Sequence, residues 1–330
     1  MASLRVLEYV RSSDPIWNLP AGVLDDLART FRDVGFEAPA DEAEADRLLP
    51  ESDVVWGWAV RPANFGRAGR LRWIQVSAAS VHGLLFPELV ESDVVVTNGR
   101  GLHGVAMAEH TIGVILAFTR KLHLARDAQR ERRWAQSSLW ADPPPFGGLA
   151  GRTLGLVGFG AIGRATAERA RALGLEVLAL RRHPAPDPTP ANAQWPPDRL
   201  PELLGLADFV VLAAPLTDET RGLIGAAELA RMRRDAILIN LGRGALVDER
   251  ALVAALEAGT IAGAALDVFE REPLDPDSPL WAMPNVIVTP HVSGFGPRYW
   301  ERATELFARN LRAFLDGHPL ENVVDKRAGY

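Results

Sequence analysis

Gly158-Phe159-Gly160-Ala161-Ile162-Gly163 has the spacing G-x-G-x-x-G, and its surroundings give that spacing a chemical meaning. The apolar run Thr153–Val157 precedes it and is expected to be a buried strand. Helical spacing follows from Ile162 to Leu173, Gly174 stands just past the end, and Glu176–Leu180 is expected as the next strand. That is a βαβ unit of about thirty residues, the setting in which such glycines cradle a dinucleotide. Gly158 suits the tight turn, Gly160 lets the backbone approach a pyrophosphate, and Gly163 lets helix and strand pack closely. The N–H groups that open the helix then face the anion. Phe159, Ala161 and Ile162 belong to the same candidate contact.

Three further segments carry side chains that can bind anions or move protons. They are Asn240-Leu241-Gly242-Arg243-Gly244, Leu266-Asp267-Val268-Phe269-Glu270-Arg271-Glu272-Pro273-Leu274 and Val288-Thr289-Pro290-His291. Each begins at the C-terminal end of an expected strand, the edge at which open α/β sheets bind ligands. An arginine, a carboxylate and a histidine thus reach the same rim as the nucleotide site.

The elements that position these residues alternate along the chain, which argues for α/β. Strands are expected at Leu4–Val10, Asp53–Trp58, Leu71–Val76 and Val94–Asn98. Beyond the glycine-rich unit they are expected at Phe209–Ala213, Ala236–Asn240, Gly263–Asp267 and Val286–Thr289. A helix is expected from about Val105 to Trp134, apolar early and charged late. Asp248-Glu249-Arg250 opens another that Gly259 ends. Pro143-Pro144-Pro145 with Gly147-Gly148 is a linker signal, and Arg182 to Pro201 is expected to be loop. Glu301–Leu315 has helical spacing, with Gly317 as its cap. It lies beyond the last nucleotide-domain strand and should pack back on the N-terminal part. The substrate domain is then discontinuous, with a cleft between two lobes.

With 330 residues the chain is too long for one ordinary core. It is 48% apolar and 24% charged, with a net charge of −6, which gives no reason to expect nucleic acid or an anionic membrane as partner. The Arg126–Arg133 stretch interleaves Asp127 and Glu131, as a solvated or dimer-facing helix would. There is no cysteine, so disulfides and thiolate chemistry are excluded. No residues have metal-ligand spacing, and no Ser/His/Asp arrangement stands out. The N-terminus lacks a signal-peptide plan, and the longest apolar stretch, Thr111–Thr119, is too short to span a bilayer. A cytoplasmic location is expected.

The chain resembles the D-isomer-specific 2-hydroxyacid dehydrogenases, the family of D-lactate, D-glycerate, hydroxypyruvate and phosphoglycerate dehydrogenases. The resemblance covers nearly the whole chain. It includes Trp73-Ile74-Gln75, Ala108-Glu109-His110, Leu154 to Gly160, Ala214-Pro215-Leu216-Thr217 with Thr220, and the three rim segments. It implies a Rossmann dinucleotide-binding domain, residues 99–291, inserted into a smaller flavodoxin-like substrate domain, residues 1–98 with 292–330. It also implies hydride transfer with a nicotinamide cofactor, a small 2-keto or 2-hydroxy acid as partner, and a homodimer.

The resemblance assigns roles that the chemistry supports. Arg243 suits the substrate carboxylate and carbonyl, because its planar fork reaches both and lysine could not copy it. His291 is the general acid in reduction and the base in oxidation; imidazole titrates at about 6.5. Glu272 is expected to pair with His291 and favour its protonated form. It competes with Glu270 for that role and is preferred because the family places the pairing Glu directly before Pro. Asp267 is expected either on the nicotinamide side or as a plain helix-start residue. Ala214, Pro215, Thr220, Leu241, Gly242 and Gly294 complete the cofactor contacts, together with Arg243 and His291. Ser77-Ala78-Ala79-Ser80-Val81-His82 departs from the family's Gly-Val-Asp turn; Ala79, Ser80 and Val81 are the candidates for holding the substrate carboxylate there. Trp58 is a candidate pocket residue; Trp56 and Trp58 either narrow the pocket or belong to the core, and Trp300 is another candidate wall. His82, His103, His110, His123, His183 and His318 are expected to be structural or solvent-facing.

Cofactor choice turns on the end of the second strand, where an NAD site carries an acid about twenty residues past the glycines. Here Leu180-Arg181-Arg182 offers two guanidinium groups that could clamp a 2′-phosphate, and NADP is favoured over NAD. The function expected is that of a 2-keto acid reductase on a compound such as glyoxylate or hydroxypyruvate. No added regulatory domain is expected after Tyr330. A second reading comes from another class: relatives act as nucleotide-sensing corepressors, binding proteins with little turnover.

Overall fold

A computed structural model describes residues 4–12, 15–141, 146–184 and 189–329. The Pro143–Pro145 linker signal lies outside the described residues. The chain forms two compact units, residues 1–102 with 297–330 and residues 103–296. Among the described residues, twelve strands make two sheets, all of whose strand pairs are parallel.

In the first unit the strands are β1 (Leu4–Tyr9), β2 (Val34–Glu37), β3 (Val54–Gly57), β4 (Trp73–Gln75) and β5 (Val95–Thr97), in the order β2-β1-β3-β4-β5. This is the flavodoxin-like doubly wound order. β2 has no counterpart among the expected strands. It is a four-residue edge strand, and Val34 and Phe36 pack against Val6, Val54 and Trp56 in one cluster. The helix Tyr299–Leu315 covers this face, as its position in the chain led us to expect. Its Phe307 is fully buried and stacks on Trp56, with centroids 4.2 Å apart at 4°, and on Trp73 at 5.5 Å. Asn310 of this helix donates to the Gln75 side chain at 2.9 Å, a buried bond that fixes its axial position on the sheet.

Trp56 is therefore core and not a pocket wall. Gly57, at φ +123, breaks the strand alternation, so that Trp58 joins the opposite cluster with Leu7 and Val55 and remains partly exposed. Trp300 is partly buried, and its indole N–H donates to the Ile16 carbonyl at 3.0 Å. The loop after β4 is held by three bonds. Tyr299 Oη donates to the Ser77 carbonyl at 3.0 Å, Asn98 Nδ2 to the Ala79 carbonyl at 2.8 Å, and the Gly99 amide to the Ala78 carbonyl at 2.8 Å. Val81 is 1% exposed and belongs to the core, so it is not an open contact, whereas Ala79 is exposed.

In the second unit the strands are β6 (Thr153–Val157), β7 (Glu176–Leu180), β8 (Ala193–Trp195), β9 (Phe209–Leu212), β10 (Ile237–Asn240), β11 (Gly263–Leu266) and β12 (Val286–Val288), ordered β12-β11-β10-β9-β6-β7-β8. Chain order reverses between β6 and β9, the switch point of a Rossmann sheet. β9, β10 and β11 are buried throughout, as parallel strands covered on both faces must be.

Two departures from the sequence expectations concern local signals. The loop expected from Arg182 to Pro201 contains β8, whose Trp195 carbonyl accepts the Arg181 amide at 3.0 Å, and the start of the helix Leu200–Leu206. Pro201 sits in the first turn of that helix, where it removes no hydrogen bond. The single helix expected from Val105 to Trp134 is two, Gly104–Thr119 and Leu122–Arg130. Lys121 breaks it at φ +52. Its ammonium is buried and donates to the Leu139 carbonyl at 2.9 Å, a tertiary contact with no local signature.

Candidate active site

The glycine turn between β6 and the helix Ala161–Ala172 meets the steric demands of its sequence. Gly158 stands at φ +101, and a Cβ there would lie 2.7 Å from the Ala213 and Ala214 backbone. A Cβ on Gly163 would come within 2.5 Å of the Gly158 carbonyl oxygen, so helix and turn are as close as backbone permits. Nothing lies within 4 Å of a Cβ on Gly160, which leaves the helix N-terminus open. Phe159 is 3% exposed and belongs to the core. Leu241 is likewise core, at 2%. The loop after β9 is closed on itself: Thr220 Oγ1 accepts the Thr217 amide at 2.8 Å and donates to the Pro215 carbonyl at 2.7 Å.

At the end of β7 the two arginines differ. Arg181 is partly buried, and its Nη1 is a buried donor without a hydrogen-bond partner. Arg182 is exposed and ion-pairs with Glu219 of the β9 loop. An unpartnered buried donor beside an open helix N-terminus suits an anionic cofactor, and the turn has the shape that a dinucleotide needs.

The Arg, Glu and His of the rim also converge. His291 Nδ1 lies 2.7 Å from Glu272 Oε2. The other oxygen of Glu272 accepts the Phe269 amide at 3.0 Å. Of the two competing acids, Glu272 makes the pair; Glu270 is exposed and its amide binds Glu249. The hydrogen bond to Glu272 raises the His291 pKa; burial opposes it, the Glu272 and Asp267 charges support it, and the Arg243 charge opposes it. Glu272 is pushed up by burial, but its bonds to His291 and to the Phe269 amide, with the charges of His291 and Arg243, hold it below the usual carboxylate range. Burial pulls the Arg243 pKa down while the Glu272 charge opposes the fall, and a guanidinium stays protonated in any case. Arg243 Nη1 donates to the Gly242 carbonyl at 2.7 Å.

Asn240 and Gly244 had no role assigned from the sequence. Asn240 is 1% exposed and spans the Arg243 turn, donating to the Arg243 carbonyl at 3.0 Å and accepting the Gly242 amide at 3.1 Å. Gly244 lies against the Phe269–Glu270 backbone so tightly that a Cβ would overlap it at 1.8 Å, which locks the Arg243 and Glu272 loops together. The Asn-x-Gly-x-Gly spacing was the available signal. Asp267 is buried, with both oxygens accepting bonds from residues 289–293. The Gly294 carbonyl meets His103 Nδ1 at 3.1 Å. Among the described residues no His/Cys/Asp/Glu group could hold a metal ion, and no helix is long and apolar enough to cross a membrane.

The model of the NAD binding domain of D-isomer specific 2-hydroxyacid dehydrogenases matches residues 112–293. The chain belongs to the D-isomer-specific 2-hydroxyacid dehydrogenase family. It is a nicotinamide-dependent oxidoreductase with an α/β, Rossmann-type fold. This dehydrogenase is 37% identical over 297 residues to a glyoxylate reductase of Korarchaeum cryptofilum, covering 88% of each chain. It is 34% identical over 309 residues to a D-3-phosphoglycerate dehydrogenase of Methanocaldococcus jannaschii, covering 91% of this chain and 57% of that one. Among solved structures, the dehydrogenase is similar to a D-isomer specific 2-hydroxyacid dehydrogenase of Xanthobacter autotrophicus in complex with NADPH and MES. The TM-score is 0.82 at 31% identity, over all of both chains. An NADPH-dependent glyoxylate/hydroxypyruvate reductase of Sinorhizobium meliloti, in complex with NADP and sulfate, gives 0.82 at 30% identity over 99% of this chain and 100% of that one.

Proposed function

We propose that this dehydrogenase is an NADP(H)-preferring reductase of small 2-keto acids of the glyoxylate and hydroxypyruvate class. The observation that carries the reading is the 2.7 Å Glu272–His291 bond, with the Arg243 charge acting on both partners. The names of the similar reductases support the substrate class, and two of the similar structures hold the phosphorylated coenzyme.

When bound, the nicotinamide supplies a hydride to the keto carbon. The protein does the rest. The amides that open the helix at Ala161, with Gly158, Gly160 and Gly163, would hold the pyrophosphate. Arg181, with its unpartnered Nη1, would take the 2′-phosphate, and Arg182 could join it by leaving Glu219. Ala214, Pro215, Thr220, Gly242 and Gly294 would complete the cofactor seat; Asp267, buried with both oxygens engaged, is not part of it. Arg243 would bind the substrate carboxylate and polarise the carbonyl through its two-pronged face. His291, with Nδ1 held by Glu272, has Nε2 left to give a proton to the carbonyl oxygen, and it would take that proton back in oxidation. Ala79 and Ser80, with Trp58, are proposed as further substrate contacts. We also infer a homodimer, supported by exposed apolar side chains between residues 105 and 140: Val105 at 44%, Leu122 at 55%, Trp134 at 90% and Trp140 at 76%.

The test is loss of NADPH and NADH absorbance with a panel of 2-keto acids. Turnover with small keto acids, faster with NADPH, is the expected result. Absence of turnover with every member of the panel would overturn the reading.

A further inference from the structure

Beside the Glu272–His291 pair runs a second hydrogen-bonded chain that the proposed reaction leaves unused. Asp267, one residue past β11, is 1% exposed. Its Oδ1 accepts the Thr289 hydroxyl at 2.6 Å and the Val292 amide at 3.0 Å, and its Oδ2 accepts the Ser293 amide at 2.9 Å. Its own carbonyl accepts the His291 amide at 2.9 Å. One residue thus ties the backbone on both sides of His291, which stands at φ +54. A side chain in that left-handed region is retained only where its surroundings hold it.

The single hydroxyl hydrogen of Thr289 is committed to Asp267. The remaining contact of that oxygen is His110 Nε2 at 3.4 Å, so His110 can only be the donor there. This puts the proton of the neutral ring on Nε2. Burial lowers the His110 pKa, with the Asp267 charge in opposition, which favours the neutral ring. The charged groups that face it are few. Its own helix, Gly104–Thr119, contributes Glu109, which is exposed and turned to Arg169 of the helix Ala161–Ala172 at 3.6 Å; the strand ends contribute Asp267 and the uncharged Thr289.

We propose that His110 is a positioning residue for the proton donor: its Nε2–H, relayed through Thr289 and Asp267, fixes the 289–293 loop and so the His291 ring beside Glu272. The inference rests on His291 being the proton donor. It also gives a use to Ala108-Glu109-His110, a motif the reaction itself does not employ.

The test compares His110→Leu, which removes the donor and keeps apolar bulk, with His110→Gln, whose amide can donate from a similar reach, and with Thr289→Val, which cuts the relay at nearly constant shape. The substrate is whichever 2-keto acid the panel finds best. His110→Leu and Thr289→Val are expected to lower kcat about five- to tenfold while KM for the coenzyme stays within about twofold, as for one lost hydrogen bond acting on the chemical step. Both should also move the high-pH limb of reduction to lower pH, since a ring less firmly held gives up part of the Glu272 bond that raises its pKa. His110→Gln should restore most of kcat and the limb. Wild-type kcat and an unmoved limb in His110→Leu and Thr289→Val would overturn the proposal. So would His110→Gln and His110→Leu being equally impaired with equal losses of thermal midpoint. The control is His291→Ala: near-normal turnover there removes the reading beneath, whereas an inactive His291→Ala beside a normal His110→Leu removes this inference alone.

Discussion

Glu272 holds the His291 ring from one side only: Oε2 lies 2.7 Å from Nδ1 while Oε1 is anchored by the Phe269 amide at 3.0 Å. The carboxylate cannot rotate without losing one of these bonds. The imidazole is thereby oriented and its protonated form favoured, which is what a proton donor to a carbonyl oxygen requires.

The pH dependence follows in sign. The His291 pKa is raised, first by the hydrogen bond to Glu272. Reduction needs the protonated ring, so kcat/KM should be full below the raised pKa and fall as pH climbs through it; oxidation should rise over the same range. Glu272→Gln removes the charge, and the limb should move down toward about 6.5, the ordinary imidazole value. Above both limbs, kcat/KM for reduction should lie below that of the unsubstituted enzyme, because less of the ring is protonated there. A pH profile that does not move in this variant would show that Glu272 does not tune the donor.

Arg243→Lys keeps the charge and loses the fork. The substrate carboxylate then loses a charge-assisted bond, so kcat/KM for the keto acid should fall about 10–100-fold while coenzyme affinity changes little. Steady-state kinetics with fluorescence titration of NADPH separates the two. Equal losses in both would point to a collapsed loop, since Arg243 also braces Gly242.

Coenzyme choice should follow Arg181. Replacing it by Asp removes the buried, unpartnered Nη1 donor and adds a carboxylate at the end of β7. The ratio of kcat/KM for NADPH over NADH should fall by about tenfold or more, the value of one ion pair exchanged for a repulsion. A ratio that stays constant would remove Arg181 from the 2′-phosphate role.

Stability of the first unit should depend on Phe307. The ring is fully buried between Trp56 and Trp73. Phe307→Ala should cost about 3–5 kcal/mol in denaturant unfolding. A loss below about 1 kcal/mol would mean that the C-terminal helix is not held by this stack.

What could be seen in the sequence depended on whether the physical cause was local. β6 and β7 are readable because central parallel strands are short apolar runs bounded by turn residues, and both fall at their expected bounds. The three glycine roles are readable because they are steric demands of a single turn. β2 and β8 are edge strands of four and three residues, too short for a period to show; each is defined by the neighbour it pairs with. The break at Lys121 has no glycine or proline to mark it, because a buried ammonium bond to Leu139 makes it.

The same division runs through the site. The sequence alone brought Arg243, Glu272 and His291 to the ends of adjacent strands, since that follows from the alternation of elements and the topology of an open sheet. Only the tertiary structure decided that Trp56 is core, and that Arg182 is engaged by Glu219 while Arg181 keeps an unpartnered Nη1. It alone links His110 to Thr289 across 179 positions of chain. Spacing along a chain determines which element a residue occupies; partners several ångströms away, brought there by packing, determine what its polar atoms touch.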